Sequence, residues 1–146
     1  QPDIPQNAGT LMRLCACLGV ALDIIEPCGF LLTDKNLKRA GMDYLEKLDM
    51  ARHSSWEAFR KTHENKRLVL LTTKTDASFL DFTFDANDIL LAGRESAGVP
   101  DDVHAACPAR VTIPMAPGVR SLNVAVAASM VLAEALRQTG GFPRQA

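Results

Sequence analysis

Three short stretches hold residues that a simple hydrophobic core has no use for: QPDIPQNAGTLMR at residues 1–13, LLAGRESAGVP at 90–100 and IPMAPGVRSLN at 113–123. In the first, Pro2 and Pro5 hold an extended approach, Asn7 suits a helix cap, Gly9 admits close backbone contact, and Arg13 adds a guanidinium to the same helix. In the second, Gly93 and Gly98 let the chain turn sharply and present its own N–H and C=O groups to a ligand, with Glu95 between them. Neither GxxxxGKS/T nor GxGxxG occurs, which disfavours a phosphate cradle. In the third, Pro114 and Pro117 stiffen the chain and remove two donors, while Ile113, Met115 and Leu122 supply an apolar wall suited to an adenine ring. Ser121 is then a good N-cap, and Asn123 falls in the first helical turn, where free N–H groups and the positive end of the dipole gather. Taken singly, each stretch also fits an ordinary connection, with Asn7 and Ser121 as caps, Arg13 as a solvated cation and Glu95 as an exposed carboxylate.

The elements that must position these residues alternate along the chain. Leu11, Met12, Leu14, Cys15 and Leu18 recur at helical spacing in residues 7–18, with Gly19 as the stop. ALDIIE follows as a short strand. Thr33 caps a basic helix through Arg39 that Gly41 ends, and Ser54 with Glu57 forms a capping box for WEAFRKTHE. RLVLLTT (67–73), DILLAG (88–93) and RVTIP (110–114) read as buried strands, DDVHAAC as a short helix, and the last helix runs from Ser121 to about Gln138, stopped by Gly140 and Gly141. This alternation predicts an α/β fold, a mostly parallel sheet with helices on both faces, whose ligands bind at the carboxyl edge of the strands.

With 146 residues, 47% of them hydrophobic and 23% charged, the chain suits a single domain over residues 1–146. Gln1 leads almost at once into a helix, so the strand that a βα unit places first is expected to be missing. No signal peptide or membrane-length apolar run is visible, which predicts a cytoplasmic protein. Cys15, Cys17, Cys28 and Cys107 have no zinc spacing, and His53, His63 and His104 are scattered, so the expectation is free thiols and no metal. A net charge of −1 gives no general attraction to nucleic acid, and an RNA partner has to use local basic faces. The candidates are Lys35, Lys38 and Arg39, then Arg52 with His53, then Arg60 with Lys61. Tyr44 and Trp56 can stack on a base, although Trp56 suits the core better. Apolar side chains from Val124 to Leu136 cover most of the last helix, which must be buried on several sides; a second subunit is the expected cover.

Taken together and in order, NAGTLMR, GRESAGVP and IPMAPGVRSLNVAVAAS resemble the three motifs of the SPOUT class of RNA 2'-O-ribose methyltransferases. The similarity spans nearly the whole chain. QPDIPQNAGTLMRLC, KRAGMDY and TIPM further resemble the minimal tRNA wobble-nucleotide methyltransferases within that class. The resemblance implies a C-terminal trefoil knot, a rare exception to the rule against threading. It also implies S-adenosylmethionine held by three loops, which fall here on Leu71, Thr72 and Thr73, on Gly93, Glu95 and Gly98, and on Ile113, Met115, Ser121 and Leu122. The implied reaction is methyl transfer to the ribose 2'-OH of C or U at the first anticodon position, with S-adenosylhomocysteine as product and no metal. Arg13 is implied in positioning the substrate, with Asn7, Glu95, Ser121 and Asn123 completing the site. Because a guanidinium keeps its proton, Arg13 is better read as a clamp on an RNA phosphate than as a base. The implied assembly is a homodimer that holds a tRNA anticodon stem-loop. Arg94 and Ala97 depart from the Pro and Arg common at those positions. Two other readings remain: a ribosomal-RNA 2'-O-methyltransferase, and a non-catalytic cofactor-binding dimer that binds RNA.

Overall fold

Pro5 opens the first helix, α1 (Pro5–Leu18), because a residue without an N–H loses nothing in the first turn. Asn7 therefore lies inside the helix rather than at its cap, which Ile4 occupies with an extended backbone. Gly19 closes α1 at φ 65°, its N–H bonded to the Cys15 carbonyl. The computed structural model describes residues 1–28, 45–94 and 98–145. The helix predicted between Thr33 and Arg39 lies outside them. The chain divides into two compact units, Gln1–Glu64 with Phe142–Ala146, and Asn65–Gly141.

In the first unit, β1 (Leu22–Ile25) pairs in parallel with β2 (Met50–His53), and Ile25 stands opposite His53. Ala8 and the fully buried Met12 of α1 pack with Ile24 of β1, and Leu22, Leu48 and Met50 close round them. β2, with the sequence MARH, has too little apolar pattern to be read from sequence. Helix α2 (Trp56–Thr62) is capped by Ser55, whose hydroxyl accepts from Ala58 N–H at 3.1 Å. The predicted cap, Ser54, lies one residue early. Two adjacent serines have equal capping chemistry, and the backbone path decides between them.

In the second unit, β3 (Leu68–Leu71) lies between β4 (Ile89–Ala92) and β5 (Ala109–Val111), all parallel. Each is shorter than the predicted stretch. Parallel pairing is as expected, in one two-stranded and one three-stranded sheet among the described residues. Val69 and Val111 pack with Phe79, Phe84 and Val131, the last from the long helix α4 (Val124–Thr139). Gln138 fastens that helix to the β3–β4 connection: its side chain accepts from Phe84 N–H and donates to the Phe82 carbonyl, both at 2.8 Å. Arg67 braces the same connection with two bonds to Asp88, at 2.8 and 2.7 Å, and its guanidinium lies 5.0 Å from the Phe82 ring centre. A short helix, α3 (Asp101–Ala106), matches the prediction for DDVHAAC.

Candidate active site

The second unit brings three of the predicted loops to one edge. Leu71 stands opposite both Ala92 and Val111, so β3, β4 and β5 end side by side at their carboxyl ends. This is the edge at which parallel sheets bind ligands. Thr72 continues the ladder, its N–H donating to the Val111 carbonyl at 3.0 Å. Beyond it, Thr112 N–H bonds to Ala77 O at 2.8 Å and Phe79 N–H to Thr112 O at 2.9 Å, so the loop after β3 is pinned to the chain leaving β5. Thr73 lies on that pinned loop and is exposed.

The glycine loop is a tight reversal. Arg94 N–H bonds to Gly98 O at 3.0 Å and Gly98 N–H to Arg94 O at 2.8 Å. A Cβ on Gly93 would lie 2.5 Å from the Gly98 carbonyl carbon, and Gly98 itself has φ 67°. Both positions therefore demand glycine, for closeness in one case and for left-handed backbone in the other. Glu95 falls within residues 95–97, outside the described residues.

After β5, Ile113 packs on the core formed by Val69, Val111 and Val131. Met115 is half-buried, whereas Ser121 and Leu122 are exposed. The helix does not start at Ser121. Asn123 is the N-cap, with backbone φ −52° and ψ 137°, and its side-chain oxygen accepts from Ala125 N–H at 2.9 Å and Val126 N–H at 3.2 Å. Both residue types cap well, and only the position of the first helical turn distinguishes them. Asn123 thus fixes the end of the third loop, and Ser121 stays within it.

Asn7 and Arg13 lie on α1 of the first unit, Asn7 buried and Arg13 exposed. Burial pushes the thiol of Cys15, two residues after Arg13 on α1, up to about 11, which disfavours the nucleophilic thiolate. The predicted basic faces change character. Arg52 is ion-paired with Glu26 at 2.7 Å, and His53 is buried. Arg60 lies over the half-buried Trp56 ring at 5.7 Å, and Lys61 is exposed. Lys35, Lys38, Arg39 and Tyr44 lie outside the described residues. The histidines are not all scattered: His53 and His63 converge on Asp23, from sequence positions that form no motif.

A family model described as the SpoU rRNA Methylase family matches residues 1–133, and the chain belongs to that family. The tRNA (cytidine(34)-2'-O)-methyltransferase of Beijerinckia indica subsp. indica is 60% identical over 146 residues, spanning 99% of this chain and 91% of that protein. A solved structure concerned with the 2-OH methylation of C/U34 on tRNA is 43% identical, covers 94% of this chain and 91% of its own, and superposes with a TM-score of 0.88. The SpoU methyltransferase AviRb from Streptomyces viridochromogenes, solved with AdoMet, is 31% identical with a TM-score of 0.79, over 94% of this chain and 57% of that one.

Proposed function

We propose that this protein transfers the methyl group of S-adenosylmethionine to the ribose 2'-oxygen of nucleotide 34 of tRNA, a cytidine or uridine, and releases S-adenosylhomocysteine. The observation that carries the reading is the shared carboxyl edge of β3, β4 and β5, from which the chain leaves each strand on the same side. Relatives matched along nearly their whole length carry the same activity in their names. Leu71 to Thr73, Gly93 to Gly98 and Ile113 to Leu122 hold the cofactor through their backbone, with Ile113 and Met115 against the adenine. The C-terminal segment passes through a loop as a trefoil knot, and residues 1–146 act as a single methyltransferase domain in the cytoplasm. Among the described residues no helix is long and apolar enough to cross a membrane.

Methyl transfer needs the donor and the hydroxyl in line, and a path for the hydroxyl proton. Arg13 clamps the phosphate beside the reacting ribose, orienting the 2'-oxygen and stabilising the charge that develops on it. Asn7, Glu95 and Ser121 complete the substrate site, while Asn123 serves it by fixing where α4 begins. The protein works as a homodimer on the anticodon stem-loop. Val126 and Met130, one turn apart on α4, are 48 and 39% exposed, and Leu122, just before the helix cap, is 39% exposed; a second copy covers these apolar side chains.

The test is methylation of unmodified total tRNA with labelled S-adenosylmethionine, followed by nucleotide mapping. Label on the ribose of nucleotide 34 is the expected result. Label confined to ribosomal RNA, or cofactor uptake without transfer to any RNA, overturns it. In sedimentation, Val126→Glu is expected to shift the dimer to monomer.

A further inference from the structure

We propose that Asp23, His53 and His63 form a three-ligand site for a divalent first-row transition ion, best suited to zinc. Nothing in the methyl-transfer reaction uses these residues, and all three lie in the first unit. The fold assembles them from separated positions. The register sets Asp23 opposite Ala51 and Ile25 opposite His53, so Asp23 and His53 are two positions apart on neighbouring parallel strands and share a face. Helix α2 then returns the chain and places His63 at its C-cap.

The donor atoms are already close. His53 Nε2 lies 2.8 Å from Asp23 Oδ1, His63 Nε2 lies 3.5 Å from Asp23 Oδ2, and one ligand atom from each residue lies within 4.8 Å of the other two. Tetrahedral zinc, with bonds of about 2.0–2.1 Å to nitrogen and oxygen, places its ligand atoms about 3.3 Å apart. Small side-chain rotations bridge the difference. The His53–Asp23 contact is a hydrogen bond, but His63 Nε2 is buried and makes none. A buried ring nitrogen that makes no hydrogen bond and lies 3.5 Å from a carboxylate oxygen is the kind of group an ion satisfies.

The donor set selects the ion. Two imidazole nitrogens and one carboxylate oxygen suit zinc and its neighbours, whereas magnesium and calcium prefer all-oxygen sites and copper(I) prefers sulfur. Three protein ligands leave the fourth position for water. The side chains of His53, Asp23 and His63 are 9, 21 and 22% exposed, so the site is sheltered yet reachable. Phe59, buried beside the rings, has its centroid 5.3 Å from that of His53 and 5.1 Å from that of His63, whose own centroids are 5.8 Å apart, so it packs edge-on or tilted against both imidazoles. An ion here ties β1, β2 and the end of α2 together.

The full chain, stripped with chelator, is titrated with cobalt(II) while visible absorption is followed, and its melting temperature is then measured with and without zinc(II). One cobalt per chain is expected, with tetrahedral bands and no near-ultraviolet thiolate band, which separates this site from the four cysteines. Zinc is expected to raise the melting temperature. His63→Gln and Asp23→Asn are each expected to weaken binding beyond the roughly 10–100-fold that loss of an outer-shell partner costs. The proposal is overturned by a wild-type chain without cobalt bands or a zinc-dependent melting shift, by thiolate bands, or by undiminished binding in a folded His63→Gln variant. The wild-type measurement decides even where a variant fails to fold.

Discussion

The two units build their chemistry from different materials. In the second, strands of almost unbroken apolar character end together, and what they present at that edge is mostly main chain: the Thr72 N–H on Val111, the Arg94–Gly98 reversal, the chain beyond Ile113. In the first, a two-stranded sheet carries polar side chains into partly buried places, with Asp23 on β1, His53 on β2 and Arg52 paired to Glu26. The difference teaches where each unit is vulnerable. A site made of backbone fails when the path of the chain changes, and a site made of side chains fails when a functional group is removed.

The largest effect is therefore expected from adding a single carbon. Gly93→Ala forces its Cβ against the Gly98 carbonyl carbon, 2.5 Å away, and the reversal must open. Cofactor affinity measured by calorimetry is expected to fall by about 3 kcal/mol, about 100-fold. If Gly93→Ala binds S-adenosylmethionine normally, the backbone-made site is wrong. On the side-chain half of the comparison, Arg13→Lys keeps the charge and loses the bidentate fork. Single-turnover methylation is expected to slow by about 2 kcal/mol, roughly 30-fold, with cofactor affinity unchanged; a near wild-type rate removes the clamp.

Smaller effects sharpen the contrast. Asn123→Ala deletes the oxygen that holds the Ala125 and Val126 N–H groups. It is expected to cost about 1 kcal/mol, a melting shift of roughly 2–4 °C, with Asn123→Ser recovering most of it. The least effect is a pH dependence. Hydrogen bonds from Arg137 and Gln138 pull the Glu134 carboxyl down from its ordinary 4.5 to about 2. Because the folded value is the lower one, the stabilisation is complete above about pH 4.5 and is lost as pH falls through about 2. Thermal melts across that window are expected to have a shallower slope in Glu134→Gln than in the wild type. Asp88 works in the same direction: burial pushes its carboxyl up, but the bonds from Arg67 and the Asp85 N–H outweigh that and hold it below the usual range.

Much of the second unit was legible because its signals are local. Val69, Leu70 and Val111 are buried apolar residues in short runs, Gly93 and Gly98 punctuate the chain, and Gly140 ends α4 at φ 67° as a left-handed cap. Caps were harder to read. Asn7, Ser54 and Ser121 all have capping chemistry, yet the helices begin at Pro5, Trp56 and Val124. Capping residues cluster near helix starts, and the choice among neighbours rests on backbone angles that composition does not encode. β2 was invisible for a related reason. MARH becomes a strand because Leu22–Ile25 is there to pair with it.

By itself the sequence determined the alternation of helices and strands, the glycines that allow a close reversal, and the linked motifs that belong to one methyltransferase family. These are properties of neighbouring residues, and short-range sterics and hydrophobic spacing are enough to set them. Tertiary structure alone decided which residue caps each helix, that three strand ends share one edge, and that Asp23, His53 and His63 meet. Those outcomes depend on strand register and on the return of a helix, which bring together side chains that the chain itself keeps thirty and ten positions apart.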